Sequence, residues 1–379
     1  MISRVAIESL IIWFVNVLSI SGFASPLRLP PAGCEKLPNP GRNSTDVLIS
    51  SSSRSLSGAP TIMHLAADSS RRTALGLGCG LAFSAVAAAG NRALAIEPFT
   101  RPGPPRLRLA LAAYSFRKFF RWMRGKPQQP ADADRALTMA GFIDLAADLG
   151  CDGAELTSYF FDPAELNAGL PELRRQAFLR GISLSGTAVG NNFARPPGVV
   201  RDQEIADVKQ WVDRAALLGM PHVRVFAGPV PKDLSQSQAR RLCIEALEET
   251  AAYAGSRGVM LGLENHGGLV TTADELLEIV RAVKSRWFGI SLDTGNFHSE
   301  TIYDDLARCA AYALNVQYKV EVRRQRRGLA EPADPQRVVR LLRDAGYQGF
   351  VAVEYEAAED PFSAVPGHLA RLRAAVLAA

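Results

Sequence analysis

From Leu107 onward, short runs of alternating apolar and polar positions take turns with longer stretches in which apolar residues recur every three or four positions. Alternation at period two predicts a strand with two unlike faces, and recurrence at i, i+3, i+4 and i+7 predicts an amphipathic helix. The first pattern marks eight strands: LRLALAAYSF (107–116), GAELT (153–157), ISLSGTAV (182–189), HVRVFAG (222–228), VMLGLEN (259–265), FGISLDTG (288–295), NVQYKVEV (315–322) and GFVAVEYE (349–356). Helical stretches such as RALTMAGFIDLAADLG and AADELLEIVRAVKSR lie between them, and turn residues mark the joints in LGCDG, LRGIS, LGMPH, SRGVM and DAGYQG. Eight βα repeats over roughly 270 residues predict an α/β chain forming a single (β/α)8 TIM barrel, close to the usual size of that fold. A doubly wound open sheet would carry a GxGxxG turn after an early strand, and none is present.

Each strand has one bulky register and one that ends in a charge or an amide. Val259, Leu261 and Leu263 oppose Met260, Gly262 and Glu264; Phe288, Ile290 and Leu292 oppose Gly289, Ser291 and Asp293. Val316, Tyr318 and Val320 oppose Asn315, Gln317 and Lys319, while Val351, Val353 and Tyr355 oppose Phe350, Ala352 and Glu354. The bulky sets are expected to face the helices and the others the barrel interior. Glu264, Asp293, Gln317 and Glu354 then hold equivalent places on four consecutive strands, at the mouth where barrel active sites sit. Three carboxylates crowded there repel one another unless a cation neutralises them. Oxygen donors from Glu, Asp and Gln suit one hard divalent ion, Mn2+ or Mg2+ ahead of Co2+ or Zn2+. Glu155 and Arg224 also point inward and are expected to contact substrate or each other. Tyr114, Phe116, Trp122, Phe160 and Phe161 lie near the mouth, where aromatic faces stack on sugars, although core packing is their ordinary role.

The stretches DGAELTSYFF, HVRVFAG, GLENHGG, SLDTGNF, NVQYKVEV and FVAVEYE resemble the xylose isomerase-like barrel superfamily, the sugar phosphate isomerase/epimerase group, over residues 107–379. The resemblance implies a divalent metal held by Glu264, Asp293, Gln317 and Glu354. The family more often has a histidine in place of Gln317, whose amide oxygen ligates more weakly. It further implies proton transfer by Glu264 and Glu354, through an enediolate formed beside a carbonyl, with Lys319 and His266 steadying substrate oxygens. Asn296 and His298, in the DTGNFH stretch, join His266, Glu155 and Arg224 as expected substrate contacts. The implied activity is isomerisation or epimerisation of a carbohydrate. A lyase or dehydratase shares the first proton transfer, and a barrel that binds carbohydrate without turnover is the non-enzymatic alternative.

Composition narrows the partners. Residues 1–95 carry 8 Lys/Arg against 4 Asp/Glu out of totals of 43 and 38, so the remainder is balanced to within one charge. That excludes a broad basic surface for nucleic acid, and the four histidines after residue 95 are too few for the trinuclear zinc site of a repair endonuclease. The five cysteines form no C-x-x-C pair and are read as free thiols. The RRQRRG run (323–328) is read as a solvated loop ahead of a grip on phosphate or carboxylate. Residues 1–62 are low in complexity and are read as an N-terminal extension outside any domain, with translation starting at Met63. Residues 63–95 hold Arg71-Arg72, a mildly apolar run and Ala93-Leu94-Ala95, the order of a twin-arginine export signal. The expectation is an exported protein consisting of residues 96–379, without a membrane span, with a cytoplasmic location as the alternative. A homo-oligomer is compatible with the sequence.

Overall fold

The computed structural model describes residues 96–379; the extension and export signal expected in residues 1–95 lie outside the described residues. Eight strands form the barrel: β1 Arg106–Ala112, β2 Gly153–Glu155, β3 Ser183–Ala188, β4 His222–Val225, β5 Met260–Glu264, β6 Phe288–Asp293, β7 Ala313–Tyr318 and β8 Gln348–Val353. Eight α-helices follow them: α1 Met139–Asp148, α2 Leu170–Leu179, α3 Val199–Leu218, α4 Gln236–Ser256, α5 Ala273–Ala282, α6 Ile302–Ala310, α7 Pro335–Asp344 and α8 Pro361–Ala378. Every strand pairs in parallel with its sequence neighbour, and β1 pairs with β8 to close the barrel.

Local signals explain where the helices begin. Ser235 and Thr272 each form a reciprocal capping box, with Gln238 and Glu275 respectively. Asp334 and Asp360 cap helices whose first residue is proline, which lacks the N–H that would otherwise go unpaired.

The strand faces divide as the alternation predicts. Leu261, Leu263, Ile290, Leu292, Val316, Val351 and Val353 belong to the core between sheet and helices. Ala110, Ala112 and Ala352, with Phe350 packed on them, form a separate small cluster. The strands stop short of the sequence-based ends because the chain leaves the barrel at the mouth. Ala113–Phe116 turns into a single 3-10 turn after β1, and Glu321–Val322 after β7 pairs instead with Glu331–Pro332. Phe116, Phe160 and Phe161 belong to the core, and Trp122 sits in a short hairpin. Cys151, Cys243 and Cys309 are buried and free. No helix among the described residues is long and apolar enough to cross a membrane.

His222, at the opposite end of β4 from the mouth, is buried. Burial pulls its pKa down to about 4, against a backbone hydrogen bond involving Ser185 that acts to raise it. The folded state therefore refuses a proton that the unfolded imidazole accepts near pH 6.5. Stability is undiminished above pH 6.5 and falls as pH drops toward 4, by about 2 kcal/mol at pH 5. His222→Gln should lose this dependence. The gap between wild-type and variant urea midpoints is expected to narrow between pH 7.5 and pH 5, and a constant gap would contradict it.

Candidate active site

Glu264 closes β5, and the residues after it explain how a buried strand ends in a carboxylate. The Asn265 side chain staples β5 to β6: its Nδ2 donates to the Asp293 carbonyl (2.9 Å), and the Asp293 N–H donates to its Oδ1 (2.9 Å). His266 then stands against the Phe226 ring, with centroids 4.4 Å apart. Gly267 and Gly268 are both left-handed, at φ 69° and 61°. A Cβ on Gly268 would lie 2.3 Å from the Gly228 carbonyl oxygen, which accepts the Leu269 N–H at 3.1 Å. Only glycine turns the chain this sharply against its neighbour.

Glu264 Oε2 lies 2.8 Å from Arg224 Nη1, and Glu264 Oε1 accepts from Asn296 Nδ2 at 3.0 Å. The Arg224 contact is an ion pair without hydrogen-bond alignment, since neither of those two atoms makes a directed bond. Asp293 Oδ1 accepts the Gly295 N–H (2.8 Å), and its Oδ2 lies 3.3 Å from Lys319 Nζ. The same ammonium donates to Glu354 Oε1 and to Glu356 Oε2.

Glu155, Gln317 and Asp293 lie beneath the surface of the site and are fully buried. Glu155 accepts from Asn315 Nδ2 (2.9 Å) and Gln317 Nε2 (3.2 Å), while Gln317 Oε1 accepts from Ser291 Oγ at 3.4 Å. The structure thus sets Glu155 against two amides below the mouth rather than against Arg224.

Among the described residues, four buried carboxylates face two buried cations, Arg224 and Lys319. Burial raises the pKa of Glu155 to about 7, with Glu354 adding repulsion. Burial likewise raises Glu264 and Asp293 to about 7, partly offset by Arg224 and Lys319 respectively. Burial also pushes Glu354 up, but Lys319 and Arg224 outweigh it and the net shift is downward. Lys319 sits well above its ordinary value because Asp293, Glu354 and Glu356 overcome the effect of its burial. Burial and Arg224 lower His266.

Arg224, Glu264, His266, Lys319 and Glu354 line one cavity of about 120 Å3. Asn296 and His298 line a neighbouring one of about 140 Å3, shared with His266 and with Arg326 of the RRQRRG run. His298 Nδ1 is 3.0 Å from the Arg323 carbonyl oxygen. The central cavity is completed by Tyr114, Phe226 and Glu356, and by two residues that strand patterning does not reveal, Arg124 and Tyr159. Both lie outside the barrel strands, where no period marks them. A cavity of about 270 Å3 beside it, between Arg117, Phe119, Tyr355 and Pro361, holds none of the buried carboxylates. No three His, Cys, Asp or Glu side chains among the described residues form a ready-made metal cage.

The chain belongs to the xylose isomerase-like TIM barrel family, whose model matches residues 143–375. No protein of curated function matches it in sequence. Among solved structures it is similar to a D-psicose 3-epimerase determined with D-fructose (TM-score 0.53, 18% identity, covering 66% of this chain and 86% of that one). It is also similar to the 3-keto-D-glucoside 4-epimerase of E. coli (0.54, 17%, 71% and 99%) and to an L-ribulose 3-epimerase (0.55, 16%, 72% and 95%). At these identities the likeness establishes the fold.

Proposed function

We propose that the protein is a divalent-metal-dependent isomerase or epimerase of a sugar or sugar derivative. The observation that carries this reading is the convergence of Glu264 and Glu354 on one small cavity at the barrel mouth, with Arg224 and Lys319 against them. β5 and β8 stand three places apart around the barrel, so the two carboxylates reach the cavity from different sides. A carbon held between them beside a carbonyl loses its proton to one carboxylate. Return of a proton from the other inverts that carbon, and return to the adjacent carbon shifts the carbonyl. The epimerase activities named for the structural neighbours support the reading through the shared fold.

The residues fit a hard divalent ion. Glu264 Oε2 and Asp293 Oδ2 are buried acceptors without an aligned donor, and two cations leave four buried carboxylates under-compensated. Glu264, Asp293 and Glu354 would hold the ion, with the Gln317 amide oxygen as a weaker fourth donor, and Mn2+ or Mg2+ suits them best. When bound, it supplies a Lewis acid for the substrate oxygens. Asn296 holds Glu264 Oε1 in place, and Glu155 fixes the Gln317 amide. Lys319, His266 and His298 meet substrate hydroxyls.

The placement of Lys319 against three carboxylates favours one second reading, a barrel that binds carbohydrate without a divalent ion. Metal content separates the two. The purified protein is expected to carry about one divalent ion per chain, lost in Glu264→Gln, and to exchange a carbon-bound hydrogen of a ketose with solvent deuterium. No ion in either protein after reloading, with sugar still bound, would establish the binding barrel.

A further inference from the structure

The segment between β1 and α1 contains a hairpin, Trp122–Met123 paired with Lys126–Pro127, which leans on the site. Its two turn residues, Arg124 and Gly125, are both left-handed, at φ 51° and 73°. Such turns favour Asn-Gly or Asp-Gly, and among the described residues Arg124 is the one non-glycine with positive φ. A long cationic side chain held in that strained conformation points to a use.

Three observations say what the use is. The Arg124 guanidinium lies over the Tyr159 ring, 4.3 Å from its centroid, and its backbone N–H donates to the Tyr159 carbonyl at 2.6 Å. The carboxylates lining the cavity are engaged elsewhere, Glu264 by Arg224 and Glu354 and Glu356 by Lys319. Arg124 therefore has no acidic partner among the described residues. Tyr159 is itself buried, lines the cavity, and its hydroxyl has no hydrogen-bond partner. Gly190, just past β3, leaves room for the pair: a Cβ there would lie 2.7 Å from Tyr159 Oη and 3.1 Å from Arg124 Nη2.

We infer that Arg124 and Tyr159 form an anion clamp that selects a sugar acid, gripping a carboxylate at the end of the substrate remote from the reacting carbon. A planar carboxylate matches the guanidinium fork, with the phenol as a further donor. The clamp deepens the proposed function, since the reacting carbon is the one between Glu264 and Glu354.

Binding tests it directly, with the full chain loaded with Mn2+ and three matched ketoses: D-fructuronate, D-fructose 6-phosphate and D-fructose. Titration calorimetry is expected to show fructuronate bound at least about tenfold tighter than fructose, with the ratio collapsing to within about twofold in Arg124→Asn. Asn suits the turn, so that variant should unfold at the wild-type temperature or above it. Tyr159→Phe is expected to lose part of the preference. No binding of fructuronate, equal affinity for all three ketoses, or a ratio that persists in Arg124→Asn would overturn the clamp. Tighter binding of the phosphate ester than of the uronate would overturn the sugar-acid assignment. The two readings fail separately. A preference lost in Arg124→Asn, without hydrogen exchange in any ketose, keeps the clamp and removes the isomerase. Exchange with no preference for the anion does the reverse.

Discussion

Glu354→Gln is expected to fold as the wild type does and to lose turnover by roughly 10²–10⁴-fold, the usual worth of a positioned proton carrier. The substitution keeps the size of a buried side chain at the end of β8. Its amide oxygen still accepts from Lys319 Nζ, which donates to Glu354 Oε1 in the native protein, so the local packing has little reason to change. What disappears is the group that takes and returns a proton. The check is kcat on whichever ketose the wild type converts, together with uptake of solvent deuterium at the reacting carbon. Exchange within tenfold of wild type would reject the role of Glu354, even if overall conversion slowed.

Lys319→Met is expected to have the largest effect on stability, about 3–5 kcal/mol in the metal-free protein at pH 8. The ammonium contacts Asp293, Glu354 and Glu356, and two of these partners are buried. Methionine fills much of the volume but leaves those charges facing one another at a site where two of the three are buried. Asp293 is already pushed up to about 7 with the lysine present, and its loss moves the carboxylates further the same way. A carboxylate whose folded pKa lies above its unfolded value costs stability at high pH, and the cost fades as pH falls through the folded value. The deficit should therefore be smaller at pH 5.5 than at pH 8, and added Mn2+ should reduce it by binding the folded state. Urea unfolding in a chelator at the two pH values, then with Mn2+, measures all three. Equal deficits at both pH values would show that lost packing, not charge, sets the cost.

The barrel is legible in the sequence because its strands alternate cleanly. Leu261 and Leu263 against Gly262 and Glu264, or Ile290 and Leu292 against Ser291 and Asp293, need no tertiary information to be sorted into faces. The same parity places Arg224, Lys319 and Glu354 at the mouth, and the structure brings them together. Parity says nothing about depth. Glu155 and Gln317 share the inward register with the residues that line the cavity, yet they pair with each other below it. The alternation outruns the strands for a related reason. Residues such as Thr157 and Lys319 continue the alternation after barrel pairing has stopped, since the pattern records burial and not hydrogen bonding. Arg124 was illegible because its turn departs from the Asn-Gly chemistry that announces a two-residue hairpin, and Tyr159 because a 3-10 turn has too few residues to show a period. Asn265 sits in the outward register of its strand, where a core residue is expected.

That asparagine has a consequence for how the protein can change. Its two hydrogen bonds to the Asp293 backbone tie the first residue after β5 to the last residue of β6. The backbone spacing of Glu264 and Asp293 is therefore set at the strand ends, with Gly295 and Asn296 alone among the residues of the loop after β6 bonded to the two carboxylates. Loops transplanted from other barrels beyond Gly268 or Asn296 should alter which molecule is admitted and leave the distance between the two carboxylates as it is. The mouth is built from interchangeable parts mounted on one that is not.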